Sequence, residues 1–179
     1  MGTEVRVEIV ALVVSAVHAY EGRPSEGPRV DPEPVTRAEV EVRAGLGIVG
    51  DRYFNRPGQR NAAVTVFDAG ALDLLDSAEV LDPVLTRRNI VIRGYSIDQL
   101  AVRRTASGER VPGRVFSLDS GSGAVRFQAH RPANPCAWMD VVLGPGAFKG
   151  LRGHGGVRCE PLDSGTLRVG PAVLEILDS

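Results

Sequence analysis

Residues 38–58 read AEVEVRAGLGIVGDRYFNRPG, and this stretch decides between two fold classes for the chain. It begins with alternating polar and apolar residues, as a half-buried β-strand does. The glycines at 45, 47 and 50 have the spacing of the dinucleotide-binding fingerprint, which requires a helix to begin at the glycines. Here they run into DRYFNRPG, which cannot form an ordinary helix. The stretch therefore predicts a strand and a glycine-rich turn, and not a nucleotide-binding strand–helix unit.

Short strands bounded by Gly, Pro or Asp-Ser-Gly turns recur on both sides of this stretch. We predict them at 5–14, 38–43, 61–67, 89–93, 114–118, 124–129, 156–161, 166–169 and 172–177. Helices are few: Asp68 can cap one short helix, and a second starts near Cys136 and runs to Leu143. The pattern predicts a mainly β, α+β fold, namely a single barrel-like β domain with a few short helices.

The length of the chain, 179 residues, is enough for one core and too short for two, so we expect a single domain over 1–179. Its loosest segment is 21–34, where four prolines deny the backbone regular hydrogen bonding. We expect this segment to be a long, mobile surface loop that is open to proteases and able to act as a lid over a pocket.

Composition excludes several classes of partner. Charged residues make up 24% of the chain and the net charge is -1, so neither nucleic acid nor a membrane is expected as a partner. The apolar run at 5–14 is interrupted by Glu8 and is shorter than the ~20 residues that span a membrane. Two cysteines make no disulfide framework and no four-cysteine zinc site. Reduced thiols and a cytoplasmic location are therefore expected.

Arginine dominates the basic residues, since Lys149 is the one lysine among 21 of them. Two explanations are open. One is codon bias in a GC-rich genome. The other is use of the planar guanidinium, which binds phosphate and other oxyanions through paired hydrogen bonds.

The segment HRPANPCAWMD, at 130–140, contains the best candidate for a reactive group. Two prolines restrict how the chain presents Cys136. With a helix start just after Pro135, unpaired amide groups and the helix dipole would favour a thiolate, and Arg131 would add positive charge. A thiolate is the form that metal ligation, persulfide formation or nucleophilic attack requires. The alternative is that Cys136 is a small buried hydrophobic residue.

The second cysteine, Cys159, has the opposite context. It lies in the predicted strand 156–161, where alternation places it on the same face as Val157. We therefore expect Cys159 to be buried and slow to react.

Seven stretches spread over nearly the whole chain resemble the MOSC family, which is named for the C-terminal domain of molybdenum-cofactor sulfurase. They occur in the order that the family shows: GLGIVGDR at 45–52, VTV at 64–66, RRNIVIRG at 87–94, VPG at 111–113, PC at 135–136, KGLRGHGGV at 149–157 and GTLRVG at 165–170. No single stretch is specific, but seven in register are hard to obtain by accident.

The resemblance implies a mostly β, barrel-like fold and a cysteine that ligates molybdenum or carries sulfur, and Cys136 matches that cysteine by position. It also implies a pocket for the molybdenum cofactor, whose phosphate arginines would bind. The candidate cofactor-binding residues are Asp51, Arg52, Arg88, Asn89, Arg131 and Asn134. Two alternatives remain: Asp51 and Arg52 close a turn, and Arg88 and Asn89 pair with neighbouring backbone.

The resemblance predicts a molybdenum-cofactor-binding or sulfur-transfer protein that uses Cys136 as metal ligand or persulfide carrier. If the chain is an enzyme, it is a molybdenum-cofactor-dependent oxidoreductase or a sulfurtransferase. The alternatives are a non-catalytic molybdopterin carrier or chaperone, and a cofactor-free sulfur-delivery protein. No pyridoxal phosphate domain accompanies the sequence, so a cysteine desulfurase as sulfur donor, or an electron-donor protein, is the expected partner.

Overall fold

The computed structural model describes residues 2–178. The strands are β1 (Thr3–Leu12), β2 (Glu39–Arg43), β3 (Gly47–Ile48), β4 (Val64–Asp68), β5 (Ile90–Arg93), β6 (Arg103–Arg104), β7 (Arg110–Val111), β8 (Val115–Asp119), β9 (Val125–Pro132), β10 (Val157–Pro161), β11 (Gly165–Arg168) and β12 (Gly170–Ile176). The α-helices are α1 (Trp138–Val142) and α2 (Ala147–Gly150). The 3-10 helices are Pro24–Glu26, Pro57–Ala62, Ala69–Leu74, Pro83–Thr86 and Ile97–Leu100.

Seven of these strands close into a barrel in the order β1-β12-β8-β9-β10-β4-β5, and β5 pairs with β1. Neighbouring barrel strands are antiparallel except β4 and β5, which are parallel. A small sheet, β11-β2-β3, and a hairpin, β6-β7, lie beside the barrel. The predicted fold class, a barrel-like β domain with a few short helices, is confirmed.

The barrel interior is filled by apolar side chains that alternate along each of the seven strands. On β4, Val64 and Val66 belong to the interior cluster, while Phe67 belongs to a second cluster on the outer wall. Phe116 and Phe127 stack across the interior with ring centroids 5.5 Å apart. Burying this many aliphatic and aromatic side chains supplies the main favourable free energy of folding.

The second apolar cluster covers the outer wall of β4 and β5. Phe67 and Val91 from these strands pack there with Trp138 and Met139 of α1 and with Leu151. The helix α1 is only five residues long, so packing rather than intrinsic helix stability holds it in place. This packing fixes the position of the segment that carries Cys136.

Several predicted boundaries differ from the structure. The strand predicted at 61–67 begins at Val64, because Pro57 opens a 3-10 helix that runs to Ala62. The helix after Asp68 is a 3-10 helix, and Asp68 caps it by accepting a hydrogen bond from the amide of Gly70. The helix predicted from near Cys136 begins at Trp138. The two-residue strands β3, β6 and β7 were not predicted, since runs this short carry no periodicity.

The glycine-rich stretch forms a strand and turns, as predicted, with no helix at its glycines. Gly47 adopts a φ of 113°. A Cβ at this position would press against Ala63, so both the backbone angle and the close approach require glycine. No helix in the described part of the chain is long and apolar enough to cross a membrane.

The side chain of Asn89 joins three barrel elements in a buried hydrogen-bond network. Its Oδ1 accepts from the amide and from the hydroxyl of Thr65 on β4, both at 3.0 Å. Its Nδ2 donates to the carbonyl of Val13, just after β1, and to Oδ1 of Asp51, both at 3.1 Å. Oδ1 of Asp51 also accepts from the amide of Ser15, and Oδ2 from the amide of Tyr53. The network pins the loop that follows β3 against the barrel wall.

We predict that Asn89→Ala lowers the free energy of unfolding by about 2–4 kcal/mol, because it leaves the Thr65 amide and the Asp51 carboxylate short of partners in a buried site. Denaturant titration followed by circular dichroism measures the change. Asn61→Ala is the control, since Asn61 is exposed and should shift stability by no more than about 0.5 kcal/mol. Equal stability of the two variants would contradict a structural role for Asn89.

Candidate functional site

A cavity of about 160 Å³ lies on the outer face of the barrel, between β4, β5 and β10 and the segment that leads into α1. It is lined by His18, Tyr20, Arg52, Tyr53, Thr65, Thr86, Arg87, Arg88, Asn89, Asn134, Cys136, Met139 and Arg158. Five of the seven candidate residues are in this set, and Arg131 and Asp51 are not. The barrel supplies the rigid floor, and irregular segments supply the reactive and charged groups.

Cys136 is exposed and lies in the loop between β9 and α1. Its carbonyl accepts a hydrogen bond from the amide of Met139 at 2.9 Å, which closes the turn into the helix. The buried side chains of Trp138 and Met139 anchor that turn. Cys136 therefore precedes a helix of only five residues, whose dipole is small. The alternative that Cys136 is a buried hydrophobic residue is wrong.

Arg52 extends along the wall of the cavity with its side chain 18% exposed. Its Nε is buried and has no hydrogen-bond partner among the described residues. Its Nη1 lies 4.0 Å from Oδ1 of Asp51, too far for a hydrogen bond, and its guanidinium stacks over the ring of Tyr53 at 4.7 Å. A buried donor without an acceptor costs stability.

Arg158 was missed from the sequence, although alternation along β10 contained the signal. Val157 and Cys159 face the barrel interior, so Arg158 between them faces the outer wall, where it pairs with Thr65 across to β4. Its guanidinium makes no hydrogen bond or ion pair with any residue in the range that the structure covers. Burial lowers the pKa of Arg158, and the nearby charges of Arg131 and Arg52 lower it further.

Arg88 acts as a clamp on the cysteine loop. Its Nε donates to the carbonyl of Gly155 at 2.9 Å, and its Nη2 donates to the carbonyls of Ala133 at 2.8 Å and Asn134 at 3.3 Å. Burial lowers the pKa of Arg88 to about 10, helped by the charge of Arg158, so the guanidinium remains charged at neutral pH. Of the two interpretations of Arg88, pairing with neighbouring backbone is therefore the one that the structure shows.

The remaining candidates have separate roles. Asp51 and Asn89 are buried and fully engaged with each other, with Thr65 and with backbone, so they support the cavity wall. Asn134 lines the cavity, and its carbonyl accepts from Arg88. Arg131 is exposed on β9 and lies outside this cavity.

No family model matches the chain, and no curated protein sequence matches it. Solved structures do match. The YuaD protein from Bacillus subtilis superposes with a TM-score of 0.70 at 12% identity, over 100% of both chains. YiiM from Geobacillus stearothermophilus gives a TM-score of 0.60 at 16% identity, over 96% of this chain and 75% of that one. YiiM from Escherichia coli gives 0.54 at 13% identity, over 99% and 71%.

These proteins share the fold. At such low identities the similarity carries no residue roles, so the chemistry of the cavity has to be argued from the side chains of this chain. Four arginines, Arg52, Arg87, Arg88 and Arg158, surround one exposed thiol, and the carboxylates nearest to them are already engaged. The arrangement therefore places positive charge, which favours an anion, next to a sulfur atom that can act as a soft ligand or a nucleophile.

Tyr20 and His18, which sequence analysis also missed, form the side of the cavity opposite the barrel. Tyr20 stacks on Trp138 at 5.4 Å and its hydroxyl donates to the carbonyl of Leu85, while burial raises its pKa to about 12. Burial and the charge of Arg52 lower the pKa of His18, so its imidazole is neutral at pH 7. His18 therefore adds no positive charge to that of the four arginines that line the cavity.

The segment 21–34 is irregular, as predicted, apart from the 3-10 helix Pro24–Glu26, but it is fastened to the cavity wall at Asp31. Arg87 donates two hydrogen bonds of 2.7 Å to the Asp31 carboxylate, and the hydroxyl of Ser15 donates a third. These bonds, led by those from Arg87, lower the pKa of Asp31. The amide of Arg29 donates to the carbonyl of Ala19 at 2.8 Å. The segment was expected to be mobile throughout, but its second half is held by these contacts at Arg29 and Asp31.

Among the described cysteines, we predict that a thiol reagent labels Cys136 about 1,000-fold or more faster than Cys159. Cys159 is 0% exposed inside the barrel, burial raises the pKa of its thiol, and reaching it requires an opening that costs ~5 kcal/mol or more. Peptide mapping of the native protein after timed labelling measures both rates, and denatured protein should label equally at both sites. Faster labelling of Cys159 would overturn the assignment of the reactive thiol.

We predict that Asp31→Asn raises the rate of tryptic cleavage at Arg29–Val30 by about tenfold, because the amide cannot replace the charged pair with Arg87. Asp73→Asn is the control, since it removes an exposed Asp–Arg pair elsewhere. The folded-state pKa of Asp31 is lowered, so the stabilisation by the pair is complete above the ordinary value of 3.8 and is lost as the pH falls through the lower folded value. Rapid cleavage of the wild type at pH 7 would contradict the conclusion that the Arg87–Asp31 pair holds this segment.

Proposed function

We propose that this chain binds the molybdenum cofactor in the arginine-lined cavity and that the thiolate of Cys136 ligates the molybdenum. One observation carries the proposal: the exposed thiol shares a cavity with the guanidiniums of Arg52 and Arg158, for which no carboxylate or carbonyl acceptor lies within hydrogen-bond distance among residues 2–178. The resemblance of seven sequence stretches to the MOSC family supports it independently. The cofactor brings the same two requirements, an anionic group and a metal that accepts a soft ligand.

The donor set fits such a group. In the described residues there is no cluster of three or more His, Cys, Asp or Glu side chains arranged to hold a metal ion. A single cysteine suits a metal whose other ligands arrive with an organic cofactor. The guanidinium of Arg52, whose buried Nε has no hydrogen-bond partner among the described residues, supplies a positive charge for the anionic group. At about 160 Å³ the cavity admits the reacting end of the cofactor and not all of it, since pockets that enclose whole ligands of this class exceed about 300 Å³.

Each residue then has a defined task. Cys136 would hold the metal, and Arg52 and Arg158 would bind the anionic groups of the cofactor. Arg88 holds the Cys136 loop against Gly155, so that the thiol keeps its place. When bound, the cofactor supplies a redox-active metal centre. The side chains of Met139 and Tyr20 give the cavity an apolar side that limits access of water.

A second function is favoured by the exposure of Cys136 and the small size of the cavity. The Cys136 thiolate can attack the outer sulfur of a persulfide on a sulfur-donor protein such as a cysteine desulfurase. A new S–S bond forms on Cys136, the donor's S–S bond breaks, and the donor's thiolate leaves. No net oxidation occurs. Arg52 and Arg158 would stabilise the anionic persulfide that results.

We predict about one molybdenum per chain in protein made in a molybdate-replete host, and less than about one tenth of that in Cys136→Ser, because a protonated hydroxyl replaces a soft thiolate. Elemental analysis by mass spectrometry measures the metal. Cys159→Ala is the matched control, since it removes the other thiol and should keep the wild-type metal content. Arg158→Gln should release cofactor about tenfold more readily, whereas Arg168→Gln, on the small sheet, should not.

The other outcomes separate the alternatives. Molybdenum that is bound through Cys136 but gives no turnover of N-hydroxylated compounds indicates a carrier. A protein without molybdenum, but with cyanide-labile sulfur that disappears in Cys136→Ser, rejects the first function and supports the second. Absence of both metal and labile sulfur would reject both.

A further inference from the structure

A second and larger cavity, of about 350 Å³, lies on another part of the barrel surface. It is bounded by the 3-10 helix Pro57–Ala62, by the hairpin strand β7 and by the end of β9. Its lining residues are Gly58, Gln59, Asn61, Ala62, Val102, Arg110, His130 and Arg131. None of them lines the thiol cavity. The residues that would bind a ligand here are therefore different from those assigned to the proposed function of Cys136.

Four polar side chains around this cavity have no partner among the described residues. Neither Arg110 nor Arg131 makes a hydrogen bond or an ion pair, and the side-chain amides of Gln59 and Asn61 make no hydrogen bond. Neighbouring arginines behave differently. On the same 3-10 helix Arg60 pairs with Glu160, and on the same strand Arg126 binds Asp163 through two hydrogen bonds. Arg60 and Arg126 are thus already paired, whereas Arg110 and Arg131 have no partner among the described residues.

Glu160, the carboxylate beside His130, is already engaged by other groups. Glu160 is bound through Oε1 by Nε of Arg60, and its Oε2 lies 3.6 Å from Nε2 of His130. Nε2 of His130 is buried and has no hydrogen-bond partner, while Nδ1 is bonded to no described residue. The carboxylate is thereby directed at Arg60 and His130. Arg110 and Arg131 keep two positive charges at one opening.

A β-bulge in β9 accounts for the direction of the Arg131 side chain. Pro132 pairs with Val157 and Ala129 pairs with Cys159, so His130 and Arg131 together face the single residue Arg158. The extra residue bends the strand and changes the direction of the side chains that follow. Arg131 consequently lines the larger cavity, while Arg158 lines the thiol cavity. Bulges of this kind are frequent beside binding sites.

We propose that the larger cavity binds a phosphate monoester of a polyhydroxylated compound, of the sugar-phosphate class. Arg110 and Arg131 bind the phosphate, because two guanidinium forks match its oxygens through paired hydrogen bonds. Gln59 and Asn61 bind hydroxyl groups, since each amide offers both a donor and an acceptor. A volume of about 350 Å³ suits a molecule of this size, because small-molecule pockets begin near 300 Å³.

The test is isothermal titration calorimetry of the full chain with glucose 6-phosphate, inorganic phosphate and glucose. We expect glucose 6-phosphate to bind at one site and more tightly than either of the other two. The double variant Arg110→Gln/Arg131→Gln should weaken that binding by about tenfold or more, since each lost charged hydrogen bond is worth at least that factor. Arg168→Gln removes one positive charge from the small sheet and should change nothing.

A second pair of variants separates this site from the thiol cavity. Arg52→Gln/Arg158→Gln should leave the binding of glucose 6-phosphate unchanged, whatever happens to molybdenum content. Loss of binding in that pair, with retention in Arg110→Gln/Arg131→Gln, would overturn the proposal. Equal affinity for inorganic phosphate would overturn the assignment of Gln59 and Asn61, and absence of binding by the folded wild type would overturn the site. Melting temperatures of all variants show that they are folded.

Discussion

The buried amide of Asn89 is the point through which the barrel and the candidate site are held together. Its four hydrogen bonds connect β4, the chain just after β1, and the Asp51 carboxylate. Asp51 in turn holds the amides of Ser15 and Tyr53. The loop after β3 and the chain just after β1 are therefore both held in place through the side chain of Asn89. A buried network of this kind stabilises only when all its members are satisfied, which is why neither residue is free to bind a ligand.

The arginines of the cavity divide into those whose guanidinium donates hydrogen bonds within the fold and those whose guanidinium donates none to the described residues. Arg88 binds three backbone carbonyls and Arg87 binds the Asp31 carboxylate, so both are held in place by the fold. The guanidiniums of Arg52 and Arg158 donate no hydrogen bond to the described residues. The positive charge of the first pair still contributes to the field at Cys136. The second pair keeps more of its donors for direct contact with an anion.

Much of the fold could be predicted from the sequence because period-two alternation survives in most of the barrel strands. The buried position of Cys159 followed from the same alternation and is confirmed. The same alternation would have placed Arg158 on the outer wall of the barrel. Its neighbours there could not be predicted, because they depend on which strands pair, and its partner Thr65 lies more than ninety residues away in the sequence. Asp51 and Asn89 were grouped with the ligand-binding residues because a motif shows that positions matter without showing whether they bind a ligand or each other. Arg131 was misplaced by a bulge, which shifts side-chain direction without leaving a mark in the sequence.

The closure of the barrel sets an order of events during synthesis. β1 has β5 on one side and β12 on the other, and Thr3 pairs with Ile176 at the far end of the described chain. While the ribosome is still making the last strand, β1 presents an unpaired apolar edge on one side, which is the state most open to wrong pairing. Contacts this distant in sequence also slow the final step, since loop closure must precede any gain in packing. Arg88 and the carbonyls that it binds in the cysteine loop, those of Ala133 and Asn134, precede β12 in the chain and belong to strand connections that do not involve it. This part of the site can therefore form before β12 closes the barrel.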